Sequence, residues 1–305
     1  DNVNKLIKRD NVDVIIGTVH SGVAMAMAKV AKDTGTTLII PNAGADAITG
    51  PMCAKNIFRS SFTNGQPGYA MGEVAAKKNH KTAITLTWKY AAGEESVKGF
   101  KDSFEKGGGK VIKDLTLPFP NVEFQALLTE IAAAKPDIVY SFFAGAGAVK
   151  LVKDYAAAGL NKTIPLYGPG FLTDGLLEAL GDSAKGMLTT LHYADGLNTK
   201  RDKEFRLSYA KTFLLQPDVY AVQGYDAAQI LAIGLKASQG DVSRKDDFAK
   251  AIRSATIDSP RGPFTISKAH NPIQDFYLRE VIGKENKSIG IASKSLADAA
   301  RGCNM

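Results

Sequence analysis

Four short turns built from small residues are the places where this sequence could do chemistry: Thr18 to Val23, Asn42 to Asp46, Ala144 to Gly147 and Gly168 to Thr173. Glycine, alanine and serine let backbone N–H groups come close to a bound molecule, and free N–H groups at a helix start favour an anion. That is binding chemistry, and bond-breaking chemistry has weaker support. Gly145-Ala146-Gly147-Ala148-Val149-Lys150 follows a strand-like run and opens a helix-like one, as a dinucleotide fingerprint does, but the third glycine is missing. A nucleotide-dependent oxidoreductase is the enzyme alternative on that basis. The sequence has no G-x-x-x-x-G-K-[ST] loop, no G-x-S-x-G elbow and no H-E-x-x-H pair. His80, His192 and His270 stand alone without metal-ligand spacing, so no catalytic residue, metal or cofactor is assigned. Cys53 and Cys303 lack C-x-x-C spacing; the pair suits one structural disulfide in an oxidising compartment, and two buried free thiols fit the count nearly as well.

The elements that position these turns are legible as an alternation of strand-like and helix-like runs up to about residue 195. Val12 to Gly17, Thr37 to Pro41, Thr82 to Thr87, Val111 to Leu117 and Asp137 to Phe143 are short apolar runs without polar alternation. Amphipathic segments separate them, which predicts parallel sheets covered by helices on both faces, a doubly wound α/β architecture. In such sheets a ligand sits beyond the carboxyl ends of the strands, where the four turns fall. Asp13-Val14-Ile15-Ile16 returns 124 residues later as Asp137-Ile138-Val139-Tyr140, and at the same offset Gly35 returns as Gly159, Pro41 as Pro165 and Gly44 as Gly168. Gly35 and Gly159 suit helix C-caps, where positive φ is needed. The shared offset predicts two similarly built lobes. Beyond residue 195 helices are predicted over 202–214, 219–238 and 245–254, then strands over 262–266 and 276–281.

Composition bounds the function class. The 305 residues are 45% hydrophobic and 23% charged, enough for two cores. No run approaches the roughly 20 apolar residues of a membrane helix. Thirty-eight Lys+Arg against 31 Asp+Glu give a formal +7, but the basic residues interleave with acids, as in Lys200 to Arg206, so a nucleic-acid partner is not predicted.

The ordered set of modest motifs resembles the periplasmic type I binding proteins of the leucine/isoleucine/valine-binding family. The carrying stretches are Val14 to Gly22, Leu38 to Asp46, Phe58 to Asn64, Tyr90 to Gly93, Lys135 to Val139, Tyr225 to Ala228, Arg261 to Phe264 and Gln274 to Leu278. The resemblance implies a periplasmic substrate-binding protein of an ABC importer, not an enzyme. It would be a monomer that closes two lobes on a small carboxylate and docks on a permease in the inner membrane. It also implies three crossovers, with lobe one at 1–62 and 196–272 and lobe two at 63–195 and 273–305. Ser60 to Asn64 is the crossover best placed as a hinge. The family's first strand, helix and second strand would lie upstream of Asp1, leaving a core edge uncovered. The chain reads as starting mid-fold, and an export signal would lie upstream too.

By the same resemblance Ser21, Asn42, Ala43 and Gly44 would hold the ligand carboxylate, and Tyr90 would stack on the ligand. Plainer roles compete: Ser21 as a helix N-cap, Tyr90 as a surface turn residue. Amino-acid binders hold the ligand ammonium with a tyrosine and a glutamate in the turns that here read Phe143-Ala144-Gly145 and Gly168-Pro169-Gly170-Phe171. Both polar groups are missing, and a buried ammonium without an acceptor is costly unless Asp174 or Asp46 substitutes. Phe143, Phe171, Trp88 and His20 suit a flat, less polar ligand, so an aromatic or hydrophobic monocarboxylate is expected. A branched-chain amino acid is the alternative, as is a ligand-sensing domain of the same fold. A Cys53–Cys303 bridge would tie the tail across the edge the two lobes share.

Overall fold

The computed structural model describes residues 1–305 and divides into two compact units. Unit 1 holds Asp1–Thr63, Asn198–Gln274 and Ser295–Met305; unit 2 holds Asn64–Leu197 and Asp275–Lys294. The chain opens with α1 (Asn2–Lys8), β1 (Val14–Ile16), α2 (Ser21–Thr34), β2 (Thr37–Ile40), the short α3 (Asp46–Thr49) and β3 (Ile57–Arg59). Unit 2 follows with α4 (Gly65–Lys77), β4 (Thr82–Lys89), α5 (Ala91–Lys106), β5 (Lys110–Pro118), α6 (Gln125–Ala134) and β6 (Ile138–Phe142). It continues with α7 (Gly145–Ala157), β7 (Leu166–Pro169), α8 (Leu177–Leu180) and β8 (Leu188–Leu191). Back in unit 1 come α9 (Lys200–Phe213), α10 (Val219–Ala237), α11 (Lys245–Ser254), β9 (Thr256–Ile257) and β10 (Phe264–Ile266). β11 (Pro272–Ile282) starts in unit 1 and runs into unit 2, where β12 (Glu285–Leu296) pairs with it.

In unit 1, β1, β2 and β3 form a parallel sheet in that order. All four residues of β2 are buried, because both faces are covered. Leu38 and Ile40 meet Ala24, Ala28 and Ala31, an i, i+4, i+7 stripe on α2, whereas Ile39 packs with Phe58, Ile230 of α10 and Ile252 of α11. β1 is an edge strand with Ile16 exposed.

Unit 2 carries the parallel order β5-β4-β6-β7-β8, with β11 antiparallel on β8. Ile84, Leu86 and Trp88 face a core shared with Val139, Phe143 and Leu151. On the other face Tyr140 stacks on Phe100 at 4.3 Å and its hydroxyl meets Ser96 Oγ at 2.7 Å.

The predicted alternation and the helices of the last third are present, α11 over the residues expected. The internal match holds through Gly35 and Gly159, both left-handed at φ 72° and 73°. It fails beyond them. Pro41 follows β2 but Pro165 precedes β7, because a 3-10 turn at Leu160–Lys162 lengthens the connection in unit 2. Gly168 therefore lies within β7 and is no counterpart of Gly44. β12 was not foreseen.

The tail also differs from expectation. Residues 295–305 belong to unit 1 and not with 273–294, so the chain passes between units a fourth time, after Lys294. Cys303 is disulfide-bonded to Cys53, and Thr49 Oγ1 donates to Asp298 Oδ2 at 2.7 Å. The bridge thus lies within unit 1 instead of spanning a shared edge.

Candidate functional site

Because β1 and β2 are parallel neighbours, the turns that follow them share the carboxyl edge of unit 1's sheet. Ala43 N–H donates to Thr18 O at 3.0 Å and locks the two turns together. His20, not Ser21, is the N-cap of α2: its backbone is extended and its Nδ1 accepts from Gly22 N–H at 3.1 Å. Acceptance at Nδ1 leaves the ring proton on Nε2. Ser21 is the first helical residue and is buried. Asn42 Nδ2 donates to Gln223 Oε1 at 2.7 Å, and Asn42 O accepts from Ser61 Oγ at 2.9 Å. Of the residues expected to hold a carboxylate, Asn42 therefore serves as an internal anchor through its side chain. The Ala43 amide is occupied by Thr18. Gly44 carries the next amide of the turn.

Behind this turn lies Arg59, fully buried at the end of β3. Its Nη1 donates to Ala43 O at 3.2 Å and Ala45 O at 3.0 Å, its Nη2 to Thr49 Oγ1 at 2.7 Å and its Nε to Asn271 Oδ1 at 2.8 Å. In a trans peptide C=O and N–H point opposite ways, so the Ala43 carbonyl aimed at Arg59 turns the Gly44 N–H away from it.

In unit 2 the carboxyl edge is aromatic. Phe119, Tyr90, Phe142 and Phe171 form a row with successive ring centroids 5.2, 6.1 and 6.2 Å apart. Phe119 is 47% exposed, Tyr90 half-buried, Phe142 and Phe171 buried. Burial pushes the Tyr90 phenol up to about 12, so it remains a neutral hydrogen-bonding group. Phe143 does not join the row. Side chains alternate across β6, and Phe143 points into the core, edge-on to Trp88 at 4.7 Å and to Phe124 at 5.1 Å. Phe142 stands in the row instead of Phe143; the alternation of Ile138, Tyr140 and Phe142 along the strand is the signal for it. Phe119, beyond β5, had no such signal. Trp88 is also a core residue, with Nε1 donating to Asn121 O at 2.7 Å.

Several glycines in these turns have structural reasons. A Cβ on Gly147 would meet the Trp88 ring at 2.3 Å, and Gly145 has a positive φ of 55°, so packing accounts for one glycine of the Gly145-x-Gly147 pattern and backbone conformation for the other. Ala144 is the N-cap of α7. A Cβ on Gly168 would lie 2.4 Å from Ser141 O, and one on Gly170 2.3 Å from Arg279 Nη2. Arg279 Nη2 pairs with Asp174 Oδ2 at 2.8 Å, with both side chains buried, so this carboxylate already holds a cation.

Several motif residues assemble the segment Ser60–Asn64, within which the chain passes from unit 1 to unit 2 after Thr63. Arg261 Nη2 donates to Ser60 O at 2.5 Å, and Gln274 Nε2 to Ser61 O at 2.5 Å. Arg261 also faces Asp226 at 3.3 Å and stacks on Phe264 at 3.9 Å. Burial pushes the Asp226 carboxyl up to about 6, with Arg261 opposing. These residues support the crossover.

Comparison with known proteins agrees with this architecture. The family model described as periplasmic binding protein matches residues 1–286. A Leu/Ile/Val-binding protein homolog 6 of Brucella melitensis is 29% identical over 287 residues, covering 91% of this chain and 72% of its own. Among solved structures, an ABC-transporter solute-binding protein from R. palustris in complex with benzoate is 53% identical, with a TM-score of 0.95 over 100% of this chain and 84% of that one. Another, from Rhodopseudomonas palustris BisB5 in complex with 3,4-dihydroxybenzoic acid, is 32% identical, with a TM-score of 0.89 over 97% of this chain and 83% of that one. A family match over nearly all of the chain, carried by the same alternating units, means that this protein belongs to the type I periplasmic binding proteins of the branched-chain amino acid-binding family.

Proposed function

We propose that this protein is the periplasmic receptor of an ABC importer and captures an aromatic monocarboxylate for an inner-membrane permease, acting as a monomeric carrier and not as a catalyst. The observation that carries the reading is the aromatic row Phe119–Tyr90–Phe142–Phe171 on unit 2, joined to the lack of an ammonium partner in the adjoining turn. Aromatic rings at 5–6 Å spacing offer faces and edges to a flat ring, and Asp174, one of the two acids that could replace the missing ammonium partner, is paired with Arg279. On unit 1 the hydroxyl of Ser21, the Gly44 amide and the His20 ring supply polar donors suited to a carboxylate. Relatives holding benzoate and 3,4-dihydroxybenzoic acid support the same chemical class.

The test is isothermal titration with benzoate, 4-hydroxybenzoate, leucine and NAD. Binding of the benzoates without leucine or NAD is the expected result. Leucine binding alone would replace the ligand class with that named in the curated relatives, and NAD binding alone would return the oxidoreductase reading.

A further inference from the structure

We propose that Arg59 is a positioning residue for ligand charge: from behind the turn it orients and polarises the peptide units that face the carboxylate. The inference rests on the reading that Asn42–Gly44 receives a carboxylate. Arg59 is fully buried, so its charge is poorly screened and every donor must find an acceptor. Two of those acceptors are carbonyls of the turn itself, Ala43 O and Ala45 O, both reached by Nη1. A trans peptide whose carbonyl accepts from a cation presents its N–H on the opposite side with strengthened donor character. For the Ala43–Gly44 peptide that N–H belongs to Gly44, a buried residue whose lack of a side chain leaves only backbone at this point of the turn. The same hydrogen bonds resist rotation of the turn, so the donor is held in place before a ligand arrives.

The guanidinium is itself held by side chains from outside the turn. Asn271 Oδ1 fixes Nε, and Thr49 Oγ1 fixes Nη2 while donating onward to Asp298 in the disulfide-anchored tail. The fork geometry of arginine is required, because one ammonium cannot reach Ala43 O, Ala45 O, Thr49 and Asn271 together.

The test compares benzoate dissociation constants with ligand-free thermal midpoints for wild type, Arg59→Gln, Arg59→Lys and Thr49→Val. Arg59→Gln removes the charge and is expected to weaken benzoate about 100-fold; Arg59→Lys keeps the charge, loses the fork, and is expected to weaken it about tenfold. Both lower the midpoint, because both leave buried acceptors unsatisfied. A purely structural role predicts that affinity follows midpoint regardless of charge, so equal weakening by Gln and Lys, or none, overturns the proposal. Should Arg59→Gln fail to fold, Thr49→Val decides: a loss of about threefold or more supports the role, and wild-type affinity overturns it. Wild-type protein that binds no benzoate overturns the functional reading and the inference together, which separates the two failures.

Discussion

The two units end their parallel strands in opposite chemistry. Unit 1 presents a turn with its polar groups fixed by partners within the unit: Ala43 N–H on Thr18, Asn42 on Gln223, and two carbonyls on Arg59. Unit 2 presents rings, Phe119 through Phe171, and keeps its own buried arginine, Arg279, neutralised by Asp174. A cation that faces peptide carbonyls orients and polarises them, as Arg59 does at Ala43 and Ala45, whereas Arg279 is drawn to a carboxylate. The same fold thus yields a turn of fixed peptide groups in unit 1 and a row of rings in unit 2, according to what stands behind each.

The difference can be broken most severely through the tail. Reduction of Cys53–Cys303, or Cys303→Ser, removes a constraint held only by unit 1 and should lower its stability by about 2–5 kcal/mol. Hydrogen exchange would then rise in unit 1 and stay unchanged in unit 2; uniform loosening would erase the distinction.

Acid should separate the units next. His270 is buried against Phe58, and burial, with Arg253 adding to it, pushes its pKa down from 6.5 to about 4. Folded His270 stays neutral while the unfolded chain takes up a proton, so stability present above pH 6.5 is lost as pH falls toward 4, by about 3 kcal/mol. Asp226, raised to about 6, works the other way: the cost of its buried charge fades as pH falls from 6 to 3.8 and offsets part of the loss. His270→Asn, compatible with the positive φ of 62° at this position, removes the loss and leaves the Asp226 gain, so stability in urea unfolding should rise as pH falls from 6 toward 4. An unchanged profile would mean that His270 does not control it.

Ligand affinity tests the two faces directly. Tyr90→Ala with Phe142→Ala should weaken benzoate about 100-fold, and Ser21→Ala about tenfold, in calorimetric titrations. If the serine mattered more than the two rings, charge and not shape would dominate recognition. Phe119→Ala should have the smallest effect, about threefold, since its ring is nearly half exposed.

Much of the architecture was readable because parallel strands buried on both faces leave uninterrupted apolar runs such as Thr37 to Ile40, and helix ends leave glycines such as Gly35 and Gly159. β12 was less readable: its residues alternate weakly and it depends on β11 for a partner. The site divided along the same line. The small-residue turns and the missing ammonium partners were visible as residue types. Whether Phe142 or Phe143 faced outward depended on strand parity.

What the sequence determined by itself, then, was local: where the chain extends, coils and turns, and which turns hold amides, hydroxyls or rings. Tertiary structure alone decided which groups remain available, because hydrogen bonds join residues far apart in the chain. Asn42 is committed to Gln223, Arg59 to Asn271 and the tail to Cys53. No local pattern records such a pairing, since each partner is chosen by where the fold brings it.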